Sequence, residues 1–308
     1  ADAAALAVAS AGGTIIAEPF DVESAGRMVV AADREGASFA MWQPRGSIGS
    51  YRVNEAGALI WNELQTNDPD SAASFYGEVF GWDTHDMPMP QGGVYTMLSK
   101  DGKDVAGAYV LNDQMAAMGV PPHWISYVTV ADADAAAFAV ASAGGTIIAE
   151  PFDVESAGRM VVAADREGAS FSMWQPRGSI GSYRVNEAGA LIWNELQTND
   201  PDSADSFYGE VFGWGSESTD MPTGVYTSFL VGGKAVAGMM QIQPEWGPVP
   251  PNWSIYLGVE DVEASLAKAI AMGGTAQMEP MDVPEVGRFV MVSDPQGAMF
   301  YIMTAPER

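Results

Sequence analysis

Residues 1–82 of this chain return at 133–214 with three differences: Leu6 becomes Phe138, Ala40 becomes Ser172 and Ala73 becomes Asp205. A chain that spells one stretch twice must build the same local structure twice, so its architecture is modular. Past Trp82 and Trp214 the copies diverge abruptly. Drift would scatter differences evenly. The sharp edge is that of a recent duplication, an engineered fusion, or a sequence assembled from duplicated pieces.

A looser repeat runs beneath the near-exact one. From His123 the pattern reads strand (Trp124 to Val130), helix (about Asp134 to Ala143), Gly144-Gly145, then strand (Thr146 to Ala149). A hairpin follows, pairing Arg159–Ala163 with Ala169–Trp174 across Asp165-Arg166-Glu167-Gly168. The same order returns from Asn252, with a helix over about Val262 to Met272, Gly273-Gly274, and a turn at Asp294-Pro295-Gln296-Gly297. The Gly pairs suit helix C-termini and the Gly-ending turns suit tight hairpins.

A second module type begins at Ile60. Strand Ile60–Thr66 leads into Asn67-Asp68-Pro69-Asp70, a helix-start signal. The helix carries Ala72, Phe75, Tyr76, Val79 and Phe80 on one face. Strands Val94–Leu98 and Val105–Val110 follow, and a twin runs from Ile192 through Val225–Leu230 and Ala235–Met240. Each unit reads as βαβββ, so the fold class is α+β with four complete modules at about 59–111, 123–176, 191–241 and 253–304. One such sheet exposes an apolar face and needs a partner. The modules are therefore expected to pair as domains 59–176 and 191–304, joined by a linker, 177–190. Residues 1–46 are then a fifth, incomplete module that opens inside a helix without a first strand. Docking on a neighbouring chain, or replacement of a swapped module, would give the protein a route to self-association.

Composition narrows the partners. The chain carries 40 acidic and 14 basic residues, net −26, which repels nucleic-acid phosphate and anionic membranes. The excess is spread along the chain, as in a solubility or salt adaptation; an acidic mouth for a cationic ligand is the sharper reading. No stretch approaches the roughly 18 apolar residues of a membrane span, and the start, with Asp2 and no basic region, does not read as a signal peptide. Cys is absent, which excludes disulfides, thiolate zinc sites and Cys nucleophiles. A cytoplasmic location is the expectation.

The run Trp-Asn-Glu-Leu-Gln-Thr-Asn-Asp-Pro-Asp-Ser…Phe-Tyr-Gly-Glu-Val-Phe-Gly-Trp, at Trp61–Trp82 and again at Trp193–Trp214, resembles the opening of a vicinal-oxygen-chelate (VOC) module. Asp294–Ala298 resembles that superfamily's last hairpin. Over nearly its whole length the chain is similar to the glyoxalase/bleomycin-resistance/dioxygenase superfamily, and most to two-domain actinobacterial proteins of glyoxalase-like or hydroxylase type. The resemblance implies βαβββ modules paired into domains whose curved mixed sheets enclose a cleft. It says less about function, because the superfamily spans isomerases, lyases, dioxygenases and antibiotic-sequestering proteins.

Metal enzymes of the superfamily place His or Glu near the start of a module's first strand and Glu in its last, holding a divalent ion with positions open for substrate. The matching positions hold Trp61, Ile125, Trp193 and Ser254, then Ser172 and Tyr301, none a good ligand. His123 lies two residues early and its counterpart is Asn252, so a strand-edge His satisfied by hydrogen bonds is expected. His85, in the loop after Trp82, is expected to be exposed. No metal and no cofactor is expected; neither GxGxxG nor GxxxxGK[ST] follows a strand.

Because side chains alternate along a strand, the family's ligand positions also mark the residues that face the cleft. They are Trp61, Glu63, Gln65, Tyr127, Thr129, Ser172 and Trp174 in one domain, with Leu64 under the helix. In the other they are Trp193, Glu195, Gln197, Ser254, Tyr256, Tyr301 and Met303. Such a surface suits a flat or amphipathic small molecule, although the same aromatics could fill a closed core. Glu63 and Glu195 are costly to bury unless paired or solvated, which makes them the candidate catalytic or ligand-contacting groups. Arg159 and Arg288 are their expected structural partners in the competing reading.

The leading expectation is a metal-free protein that binds or sequesters a small aromatic or cationic compound, as bleomycin-resistance proteins of this fold do. One alternative is a metal-independent lyase, isomerase or hydroxylase-type enzyme using a cleft Glu as acid–base. Another is a duplicated or engineered product with no activity of its own.

Overall fold

The computed structural model describes residues 50–304, except 90–92, 112–114, 116, 118–119, 180, 222–223, 245–248 and 284–286; before residue 50 it describes the strand segments 14–22, 26–32 and 38–44. These three segments, β1 (Thr14–Val22), β2 (Gly26–Ala32) and β3 (Ser38–Pro44), form an antiparallel sheet of their own. The helix read at the chain's start lies outside the described residues.

The first large sheet is built from β4 (Leu59–Thr66), β5 (Asp83–Pro88), β6 (Val94–Lys100), β7 (Lys103–Val110), β8 (His123–Thr129), β9 (Thr146–Val154), β10 (Gly158–Ala164) and β11 (Ser170–Pro176), in the order β5-β6-β7-β4-β8-β11-β10-β9. β4 and β8 run antiparallel at its centre, each flanked by a parallel neighbour, β7 and β11. The second sheet repeats this with β12 (Leu191–Thr198), β13 (Gly215–Met221), β14 (Gly224–Val231), β15 (Lys234–Gln241), β16 (Asn252–Val259), β19 (Gly287–Ser293) and β20 (Met299–Thr304). Its outer strand is split into β17 (Thr275–Ala276) and β18 (Met281–Val283), both paired to β19. The sheets are mixed and open, with edges at β5, β9, β13 and β17. β5 and β13 escaped the sequence reading because strands such as Asp-Thr-His-Asp-Met-Pro are exposed throughout and show no alternation. His85 consequently sits in β5, opposite Met97, rather than in a loop, and it is exposed.

Four helices start as the chemistry of their first residues requires. Asp68 and Asp200 accept from Ser71 N and Ser203 N at 3.0 and 3.1 Å, capping α1 (Pro69–Phe80) and α3 (Pro201–Phe212), each with Pro in its first turn. Asp132 and Asp261 do the same for α2 (Ala133–Ser142) and α4 (Val262–Ala271). Gly81 and Gly213 close α1 and α3 in the left-handed conformation, φ 72° and 70°.

The helical cores span both sheets. Phe75, Tyr76 and Phe80 of α1 pack with Leu64 and Leu98 of the first sheet and with Phe300 and Ile302 of the second. Phe207 and Tyr208 of α3 pack with Phe229 of the second sheet and Phe171 and Met173 of the first. Leu64 thus lies under the helix, as the alternation along its strand requires.

The segment 177–190 makes specific cross-connections. It repeats 45–58 residue for residue, and the two copies make matching bonds to opposite halves. Ser50 N and Tyr51 N donate to Ile192 O and Ala235 O; Ser182 N and Tyr183 N donate to Ile60 O and Asp104 O. Asn54 and Asn186 donate reciprocally to Ser182 O and Ser50 O, at 2.8 and 2.7 Å.

Candidate functional site

On the face of each sheet away from the helices, the central strand carries a buried glutamate. In the first, Trp61, Glu63 and Gln65 share one side of β4. Glu63 is 6% exposed, while Trp61 and Gln65 are half-buried. Alongside stand Tyr127 and Thr129 on β8, with Ser172 and Trp174 of β11 directly opposite them in register. The second cleft repeats the set with Trp193, Glu195 (3% exposed) and Gln197 on β12, Ser254 and Tyr256 on β16, and Tyr301 and Met303 on β20. Every residue placed in a cleft by sequence is on this face, but the floors are closed. Tyr127, Ser172, Gln197, Tyr256 and Tyr301 are buried, whereas Trp61, Trp174, Trp193 and Ser254 retain exposure.

The glutamates are not partnered by arginine. Arg159 pairs with Asp134 (2.8 Å) and Asp153 (3.1 Å), and Arg288 with Glu263 (2.5 Å), all near the surface. The expectation failed because both arginines turn instead to the first turn of the module's helix, Arg159 to Asp134 of α2 and Arg288 to Glu263 of α4. Glu63 is held by the hydroxyls of Tyr95 and Tyr127 and by the Gln65 amide. Glu195 accepts from Tyr256 OH at 3.0 Å and from Tyr226 and Gln197.

Tyr95 and Tyr226 were missed by sequence. They reach in from β6 and β14, and their hydroxyls are fixed by Trp61 Nε1 (2.9 Å) and Trp193 Nε1 (2.8 Å). Each hydroxyl sits over a strand glycine: a Cβ on Gly107 or Gly238 would lie 2.0 or 1.9 Å from it. The usable signal was a Tyr placed twelve residues before a mid-strand Gly in both halves.

Burial sets the electrostatics. Desolvation raises the Glu195 carboxyl to about 7, against the lowering effect of its Tyr256, Tyr226 and Gln197 donors. Glu63 is raised for the same reason, opposed by Tyr95, Tyr127 and Gln65. Burial, reinforced by the nearby Glu charge, pushes Tyr95, Tyr127, Tyr226 and Tyr256 well up, so these phenols stay neutral donors. In the second cleft the Glu195 carboxyl gains or loses a proton near neutrality inside a cage of phenol donors; in the first, Glu63 is shifted in the same direction.

The donor set does not fit a divalent metal. The positions matching the superfamily's ligands carry Trp61, Ile125, Trp193, Ser254, Ser172 and Tyr301, and no group of three or more His, Cys, Asp or Glu comes together among the described residues. His123 opens β8, its Nδ1 2.9 Å from Pro121 O and its backbone opposite Gln65.

Comparison with known proteins places this geometry. The family model described as "Glyoxalase/Bleomycin resistance protein/Dioxygenase superfamily" matches residues 58–173 and 190–302. "Putative glyoxylase CFP32" of Mycobacterium tuberculosis is 42% identical over 255 residues, covering 82% of this chain and 97% of that protein. "Anthracycline biosynthesis protein DnrV" of Streptomyces peucetius is 33% identical over 264 residues, covering 82% and 94%. Among solved structures, the Mn(II)-bound glyoxalase from Novosphingobium aromaticivorans superposes with a TM-score of 0.55 at 14% identity, covering 82% of this chain and 83% of that one. The 2,2',3-trihydroxybiphenyl 1,2-dioxygenase from Sphingomonas wittichii strain RW1 gives 0.55 at 14%, covering 81% and 91%. At such identity the structural likeness speaks for the fold alone. Repeated βαβββ modules, two open mixed sheets and a family match over both halves lead to one conclusion: the chain belongs to the glyoxalase/bleomycin resistance protein/dioxygenase superfamily.

Proposed function

We propose that this protein binds a small aromatic compound in its glutamate–tyrosine clefts, using the buried carboxyl in place of a metal as the polar anchor. The observation that carries this reading is the pairing of Glu63 and Glu195 with phenol and amide donors rather than with arginine. An arginine would make each glutamate a finished structural pair, whereas a caged carboxyl keeps acceptor capacity for a ligand donor. Half-buried Trp61, Trp174 and Trp193 supply aromatic walls. The net charge of −26 favours a neutral or cationic ligand over an anionic one. The Streptomyces peucetius relative is named for the biosynthesis of anthracyclines, which are fused-ring aromatic compounds.

One observation favours a second reading. A carboxyl raised to about 7, as Glu195 is, can serve as a general acid or base at neutral pH, the requirement for a metal-independent lyase or isomerase. Saturable binding without product supports the binding protein; turnover that follows the titration of one carboxyl supports the enzyme.

The test is a thermal-shift screen of soluble aromatic compounds, aromatic amines included, followed by titration of wild type and Glu63→Gln. Losing a charge-assisted hydrogen bond should raise the dissociation constant by about tenfold or more, with unchanged far-UV circular dichroism. Unaltered affinity in both Glu63→Gln and Glu195→Gln would overturn the reading.

A further inference from the structure

The helices meet in two equivalent pairs, α2 with α3 and α4 with α1. Beside the first pair lies a cavity of about 360 Å³ that opens to solvent. Its walls are Ala136 and Ala139 of α2, Val211 and Phe212 at the end of α3, and Ala56-Gly57 of the loop before β4. Exposed Asp132 is its charged lining residue, and no basic residue lines it among those described.

The same walls are covered at the second pair. Aligning the helix caps Asp132 and Asp261 places Lys268 where Ala139 stands. Lys268 reaches across to α1, its Nζ 3.5 Å from Glu78 O in that helix's last turn. A second lysine, Lys100 at the end of β6, lays its amine against Gly189, the counterpart of Gly57. At the first pair Val231 ends β14 in the place of Lys100, and its Cγ2 is 3.4 Å from where a Cβ on Gly57 would stand. Exposure follows the lysines. Val79 and Phe80 are both 5% exposed and Gly189 is buried, whereas their counterparts Val211, Phe212 and Gly57 are half-buried.

The electrostatics of the two places match as well. Neither α1 nor α3 carries a basic residue in its own last turn, where the terminal carbonyls favour a cation. Lys268 supplies one to α1. Arg166 touches α3 through Ser203 O and the Glu210 carboxylate, but it does not line the cavity. Alanine and valine thus stand where two lysines cover the twin, and the uncovered space lies between a carboxylate and the carbonyl end of a helix.

We propose that this cavity binds a short alkylammonium ion. The alkyl chain lies on Ala136, Ala139, Val211 and Phe212, as a lysine stem lies on apolar surface. The ammonium group sits between Asp132 and the end of α3, and the net charge of −26 draws such cations to the protein. The site is on the helix side of the sheets, apart from the glutamate–tyrosine clefts, and does not depend on how those clefts are read.

The probe is n-butylamine, the lysine side chain as a free molecule, titrated at neutral pH and followed by amide NMR. Saturable shifts are expected at Gly57, Ala136, Ala139 and Val211. n-Butanol, which keeps the chain and lacks the charge, should bind more weakly by about threefold or more. Ala139→Lys, which supplies the amine covalently, should abolish the shifts while circular dichroism reports a folded protein. Lys100→Val combined with Lys268→Ala should add shifts at Val79 and Gly189, and this arm stands if Ala139→Lys does not fold. Absence of shifts at the cavity, shifts confined to Trp61 and Tyr127, equal binding of n-butanol, undiminished binding to folded Ala139→Lys, or no added site in the double variant would each overturn the proposal.

Discussion

Glu195 shows how one buried residue writes itself into the stability of the fold. Its folded carboxyl holds a proton up to about pH 7, whereas a solvated one releases it near 4.5. Between these values the folded state binds more protons than the unfolded, so wild-type stability falls as pH rises through the window and the penalty is complete above it. Glu195→Gln does not titrate. Its stability relative to wild type should therefore climb by about 3 kcal/mol between pH 4 and pH 8, read from urea midpoints; a constant difference would contradict the buried, raised carboxyl. Glu63 and Glu195 were legible in sequence because a carboxylate at an inward strand position is costly unless something answers it. What answered was not legible. The donors Tyr95 and Tyr226 arrive from strands whose register is set by long-range pairing, and their approach is permitted by glycines at 107 and 238.

At the scale of elements, helices and hairpins lock the halves together. Asp165, opening the turn after β10, accepts from Glu167 N and Ala169 N at 3.0 Å and from Tyr208 OH of α3 at 3.0 Å; Trp253 Nε1 donates to that hydroxyl at 2.9 Å. Tyr76, Asp294 and Trp124 repeat the chain on the other side. Tyr208→Phe strips the buried Asp165 and Trp253 of a shared partner and should cost about 1–3 kcal/mol, measured by chemical denaturation; a neutral effect would show that the chain is incidental. The helix starts and hairpin turns were readable because Asp caps, Pro and Gly act through local backbone geometry. Helix packing across both sheets was not, since an apolar face does not name its partner. Strands β5 and β13 were unreadable because neither face of such a strand is buried.

The molecule as a whole is two copies of one plan, preceded in the chain by a three-stranded sheet whose strands repeat β9–β11 with one difference, Ala40 for Ser172. The sheet of β1–β3 repeats the pairing of β10 with β11, Gly26 opposite Pro44 as Gly158 is opposite Pro176; β18 lies near β3, but no described strand is hydrogen-bonded to its outer edge as β8 is to β11. An edge without a ladder partner, identical to β11 except for Ala40 in place of Ser172, is suited to exchange with another chain. Removing residues 1–46 should therefore abolish concentration-dependent association, measured by light scattering. A sharp monomer mass for the full chain, with 1–46 protease-resistant, would contradict this. The duplication was the plainest feature of the sequence, yet it conceals the inequality of the clefts, which turns on Ser172 and Tyr301.

The central claim is that these clefts work through buried carboxyls where related folds hold a metal. Metal content by elemental mass spectrometry, after exposure to Ni, Zn, Mn and Fe and then desalting, tests it directly. The account predicts no stoichiometric ion. About one ion per large sheet, lost on Glu63→Gln and Glu195→Gln or on His123→Ala, would contradict it.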